Sequence, residues 1–167
     1  MGSAYYAQHP VYPIEKTVAN INIDGINNFG NTKDIAITGA GQSELEDYLK
    51  KEVESKGRYI ATETHPEAGH YFRSDHFSFA KVGVPALTTG SGVDHVEKGK
   101  AYGQKRQEEY TEKYYHRPSD EYDASRWNLD GGLEDIKLLF QVGKRLASES
   151  SWPGWKAGSE FKSLRKR

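Results

Sequence analysis

Three short segments gather the residue types that bind metals and move protons. "YYHRPSDEYD", Tyr114 to Asp123, sets a single imidazole, His116, ahead of a turn fixed by Pro118 and a run of carboxylates. "TVANINID", Thr17 to Asp24, ends an apolar alternation on a carboxylate followed by Gly25. "RSDH", Arg73 to His76, places a cation, a hydroxyl, a carboxylate and an imidazole at the start of an expected helix. On spacing alone, His116 is either a metal ligand or a structural histidine. Asp120 can accept its second ring N–H, as carboxylates around metal-bound histidines do, or cap the turn after Pro118. Asp24 is costly to desolvate without a partner, which makes it a site carboxylate or a turn cap. The Arg73–His76 group reads as a rim for an anionic ligand or as an ordinary cap with a salt bridge. His9, His65, His70 and His95 show no H-x-x-x-H spacing and are read as surface residues. The Glu108-Glu109 pair lies in a charged stretch with no strand before it, so it is set aside as a catalytic pair.

These side chains need elements to hold them. Val18, Ile21 and Ile23 predict a strand over Thr17–Asp24 that delivers Asp24 to its C-terminal end, where open α/β sheets place ligands. A second strand is expected around Ile35 and Ile37. A helix follows from Ser43 to Gly57: Ser43 and Glu46 form a capping box, and Leu45, Leu49 and Val53 fall at helical spacing. "RYIATET" predicts an edge strand. "SDHFSFAKVG" predicts a short helix capped by Ser74 or Asp75 and ended by Gly83, with Phe77, Ala80 and Val82 inward. "VPALTTGSG" predicts a buried strand. Strand, helix and strand in this order give an α/β fold. The run Glu97 to Lys113 has no apolar stripe and reads as a solvated excursion with at most a turn of helix. A last helix is expected over Leu133–Ser148, with Ile136, Phe140, Gly143 and Ala147 on one face and Leu139, Val142 and Leu146 beside it. Trp152, Trp155 and Phe161 are expected to dock the tail, leaving the terminal Lys166 and Arg167 in water.

Composition sets the limits. The 167 residues suit one domain. They are 35% hydrophobic and 28% charged, with 11 Tyr, 6 Phe and 3 Trp, and the mean hydropathy is -0.84. The aromatics supply apolar surface that disordered chains lack. Lys and Arg total 23 against 24 Asp and Glu, a net charge of -1, which gives no field for nucleic acid. With no cysteine, any metal must be held by His and carboxylate. No apolar run approaches the roughly 20 residues of a membrane span. The chain is expected to be soluble, and an export signal on a longer parent is left open.

Taken together and in order, "GSAYYAQHPVYPIEKTVANINIDG", "YFRSDHFSFAKVGVPAL" and "YYHRPSDEYD" resemble the C-terminal half of the di-zinc aminopeptidases, the M-twenty-eight peptidases, related to glutamate carboxypeptidase and the transferrin receptor ectodomain. The likeness runs on to "SWPGWKAGSEF". It implies an α/β three-layer sandwich with a mixed sheet, of which residues 1–167 are the C-terminal portion without the N-terminal strands. It also implies a peptide substrate and two zinc ions, with Asp24 on one zinc, His116 on the other, and Tyr115 beside the scissile carbonyl. Arg73, Ser74, Asp75 and His76 match a segment near the substrate pocket.

One departure matters. The family also uses an upstream H-x-D and a Glu-Glu pair, whose first glutamate is the general base for the metal-bound water. Neither stands at a matching place here: relatives carry the pair a few residues before a "GLLGS-x-YYA" stretch, and this chain opens "MGSAYYA". The expectation is therefore a piece of a longer exopeptidase, inactive by itself and weak for zinc. The alternative is a structural or receptor-like domain of the same fold.

Overall fold

The computed structural model describes residues 1–63 and 66–165. The expectations for His65, Lys166 and Arg167 lie outside the described residues.

The elements run α1 (Gly2–Gln8), β1 (Asn20–Asn22), β2 (Asp34–Ile37), α2 (Leu45–Ser55), β3 (Tyr59–Ala61), α3 (His76–Ala80), β4 (Ala86–Ser91), α4 (Gly99–Lys113) and α5 (Asp130–Ser148), with short 3₁₀ turns between them. The four strands form an open sheet in the order β1-β4-β2-β3. β1 is parallel to β4 through Asn20 and Ala86, β2 is parallel to β3 through Asp34 and Tyr59, and β2 is antiparallel to β4 through Ile37 and Thr89. The chain therefore has an α/β fold on a mixed sheet. The β2-α2-β3 unit needs its helix, because parallel neighbours cannot be joined by a tight turn. β3 is the edge strand expected of "RYIATET".

Alternation on the strands divides the core. Leu87, Ile35 and Ile37 pack with Leu45, Leu49 and Val53 of α2 and with Leu138, Leu139 and Val142 of α5. Ala86, next to Leu87 and so on the opposite face, packs with Tyr71, Ala80, Trp155 and Phe161. α2 begins at Leu45 rather than Ser43, and of the expected capping box the Glu46 half forms while Ser43 Oγ takes the N–H of Leu45 in place of that of Glu46. The Leu45 N–H donates to Ser43 Oγ at 3.1 Å, and the Ser43 N–H donates to Glu46 Oε1 at 2.9 Å. Glu46 also accepts the N–H groups of Gly41 and Gln42 and pairs with Lys156 Nζ at 3.0 Å. That pairing seats the tail, where Trp155 Nε1 donates to the Gly83 carbonyl at 3.0 Å.

Several elements differ from expectation. β1 covers Asn20–Asn22 rather than Thr17–Asp24: the Thr17 carbonyl accepts from Arg165 Nη2 at 2.9 Å instead of joining the ladder. α3 is uncapped by side chains, since the Asp75 carboxylate accepts from Ser3 Oγ at 2.6 Å. Residues 99–113 are a full helix, not an excursion. Helix-forming Lys, Gln, Arg and Glu carry it, with Glu109 paired to Arg106 and Lys113 at helical spacing. It lacks an apolar stripe because it docks through Gly103, its buried residue; a Cβ there would overlap the Val93 carbonyl oxygen. α5 starts at Asp130 and turns Leu138, Leu139 and Val142 inward, leaving Phe140 64% and Ile136 38% exposed. Gly131 and Gly132 set that rotation by packing against the backbone of Gly30 and Asn27, where a Cβ has no room.

Candidate functional site

The loop after β1 carries Asp24, which is exposed. Its neighbours are held by Asn27, fully buried, which donates to the Gly30 carbonyl at 2.7 Å and accepts from the Phe29 N–H at 3.0 Å. The same loop is stitched to the segment that follows His116. The Asn128 N–H donates to the Asn28 carbonyl at 2.9 Å, and the Gly30 N–H donates to the Asn128 carbonyl at 3.1 Å. Both candidate ligand loops are thus anchored to one another and to the start of α5.

His116 is exposed and has φ 57, the one positive φ outside glycine among the described residues. A side chain in the left-handed region is strained by roughly 1–2 kcal/mol, and such strain is concentrated at functional sites. Its ring stacks on Tyr115, 3.9 Å between centroids at 20°, and Tyr115 is itself 49% exposed. The loop is braced from behind. Asp123 accepts from the Ser125 N–H and hydroxyl and from Arg126 Nε at 2.7 Å, which holds its pKa down at about 2. Arg126 in turn lies over the Tyr114 ring, 4.5 Å from its centroid. Asp120 accepts from Tyr110 Oη at 2.7 Å; burial and that carboxylate push Tyr110 up to about 12. The bond Asp120 makes therefore goes to α4.

The Arg73–His76 group divides in two. Arg73 is exposed, with Nη2 3.2 Å from His70 Nδ1, and Ser74 Oγ donates to the His70 carbonyl at 3.2 Å. His76 is no rim residue: it is fully buried, edge-on to Tyr71 at 4.6 Å, and both ring nitrogens lack a hydrogen-bond partner among the described residues. Burial drives its pKa down to about 4, against the upward pull of Asp24 and Asp75.

Two histidines read as surface positions, His9 and His70, are exposed. His95 is buried, a correction with a clear cause: Nδ1 accepts the N–H groups of Glu97 and Lys98, both at 3.1 Å, and so closes the turn into α4. What the sequence reading missed is the α4 wall of Arg106, Glu109 and Tyr110. The signal was present in the i,i+3 and i,i+4 charge pairs around Glu109.

Exposed carboxylate and imidazole are zinc-type donors. Among the described residues, however, no three His, Asp or Glu side chains are gathered to hold a metal ion. Nor is any described helix long and apolar enough to cross a membrane.

Peptidase family M28 is matched over residues 1–140, a span that includes all three chemistry-bearing segments and stops within α5, before the aromatic tail. No curated protein and no solved structure gives a significant match. With more than four-fifths of its length covered by that one match, the chain belongs to peptidase family M28.

Proposed function

We propose that this chain contributes to a zinc-dependent exopeptidase of the aminopeptidase type, with Asp24 and His116 as ligands of two different zinc ions and Tyr115 beside the scissile carbonyl of a peptide. Membership of a peptidase family supports the hydrolytic part. The observation that carries the assignment of residues is the strained, exposed His116 on a loop braced by Asp123 and Arg126 and tied to the loop of Asp24. Strain of this kind persists where the surroundings over-determine it.

The residues present do not complete a metal site. A catalytic zinc ordinarily has three protein ligands, and the described residues gather no such group. In this reading the H-x-D and Glu-Glu come from an N-terminal half of the same domain, which pairs with the free side of β1 and builds the full three-layer sandwich. One feature supports that placement: β1 is an edge strand, paired in the sheet with β4 alone among the described residues. Tyr115 could then donate its hydroxyl to the substrate carbonyl oxygen, an interaction that strengthens as charge develops there. Arg73 and Ser74, exposed or half-buried, remain available to a substrate, whereas His76 would act only from beneath.

Zinc titration by calorimetry tests the reading. The isolated chain is expected to bind zinc weakly and to leave aminoacyl 4-nitroanilides intact. The coding frame upstream of Met1 is expected to encode H-x-D and Glu-Glu, and co-expression with that half to give activity that Asp24→Asn and His116→Ala abolish. Tight zinc binding by the chain alone would overturn the divided site. A complete assembly without hydrolysis would favour the structural or receptor-like role.

A further inference from the structure

A cavity of about 270 Å³ lies between α4 and the segment from Tyr114 to Trp127. At about 30 Å³ per water it has room for roughly nine waters, and so for one small molecule rather than a peptide. No candidate metal ligand lines it.

Its chemistry is two-signed. Arg106 gives Nη1 to Glu109 Oε2 at 2.8 Å, while its Nε is shielded from solvent and has no hydrogen-bond partner among the described residues. Arg126 also lines it, with its Nε given to Asp123 Oδ2 at 2.7 Å. Asp120 meets Tyr110 through Oδ2. Two guanidinium groups and two carboxylates, Glu109 and Asp120, thus line one cavity together with the rings of Tyr110 and Trp127. A simple anion entering here meets the carboxylates, and a simple cation meets the arginines. A molecule that carries both charges a few ångströms apart satisfies each.

We infer that this cavity binds a zwitterion of the α-amino acid class with an apolar side chain: carboxylate toward Arg106, ammonium toward Asp120, side chain against Trp127 and Tyr110. The site uses neither Asp24, His116 nor a metal, so it stands independently of the peptidase reading.

L-Leucine titrated into the full chain is the test, followed by calorimetry and by the indole N–H resonances, with Trp127→Phe identifying the signal of Trp127. Saturable binding in about the millimolar range is expected, with a shift of the Trp127 resonance and no change on adding a chelator. Acetate alone and methylammonium alone are expected to give neither. Arg106→Gln should weaken binding at least about tenfold. Asp120→Asn, on an exposed loop, serves as the second variant should the first not fold. Absence of saturable leucine binding, equal binding of acetate, loss of binding with the chelator, or wild-type affinity in the folded variants would each overturn the inference.

Discussion

Arg58 and Asp135 form the tightest link between the sheet and α5: Nη2 donates to Asp135 Oδ1 at 2.7 Å, with both side chains largely shielded. The same nitrogen donates to the Asp34 carbonyl at 2.7 Å and to Thr32 Oγ1 at 3.2 Å, so one guanidinium ties the start of β2 to the last helix. Burial holds the Asp135 pKa up at about 6, against the opposing pull of Arg58. Because this lies above the unfolded value of about 3.9, stability from the group is full below pH 4 and is lost as pH rises through about 6. Arg58→Met should cost roughly 3–5 kcal/mol at pH 7.5, since it strands a buried charge, and distinctly less at pH 5, where Asp135 takes up a proton. Urea unfolding at the two pH values checks this; an equal cost at both would show that Asp135 is not buried as a charge.

His76 works in the opposite direction. Its folded pKa of about 4 lies below the ordinary 6.5. The unfolded chain therefore takes up the proton first, and stability present above about pH 6.5 falls away as pH drops through about 4. The ring Cε1–H resonance should stay at its neutral position at pH 5, and His76→Phe should remove part of the acid loss. Titration near 6.5 in the folded protein would mean that water reaches the ring.

Gly103 is the contact by which α4 docks, so Gly103→Ala should lower stability by about 1–3 kcal/mol through overlap with the Val93 carbonyl. Lys105→Ala, exposed on the same helix, should change it by about 0.5 kcal/mol or less. Hydrogen exchange over residues 99–113 should accelerate in the glycine variant alone.

The strain at His116 predicts a difference between two removals of the same imidazole. His116→Gly should gain up to about 1 kcal/mol, after the added freedom of glycine in the unfolded chain, while His116→Ala should be near neutral because it keeps a Cβ at φ 57. Thermal unfolding of the two variants side by side decides it, and equal stabilities would argue that the left-handed conformation carries no strain.

Local rules were legible where they act within one element. The Ser43 and Glu46 cap, the Leu45, Leu49 and Val53 stripe and the edge position of "RYIATET" all depend on spacing, and spacing is written in the chain. α4 escaped because a helix whose buried residue is Gly103, and whose other contacts are made by Tyr102 on His95 and Tyr110 on Asp120, needs no apolar stripe to read. α5 was legible as a helix with two adjacent apolar sets, but spacing did not say which turns inward, since Ile136 and Phe140 are as apolar as Leu139 and Val142; the tight fit of Gly131 and Gly132 against Gly30 and Asn27 fixes the rotation.

The candidate site shows the same division. Residue identity and motif order marked Asp24, Tyr115 and His116, because a carboxylate, a phenol and an imidazole keep their donor atoms in any fold. Their settings were decided only in three dimensions. The left-handed turn at His116, the burial of His76 beneath Tyr71, the capture of Asp120 by Tyr110 and the cavity against Arg106 all arise from how one element or loop packs on another rather than from spacing within an element. Long-range packing sets solvent exposure, and solvent exposure sets what a charged or polar group can do.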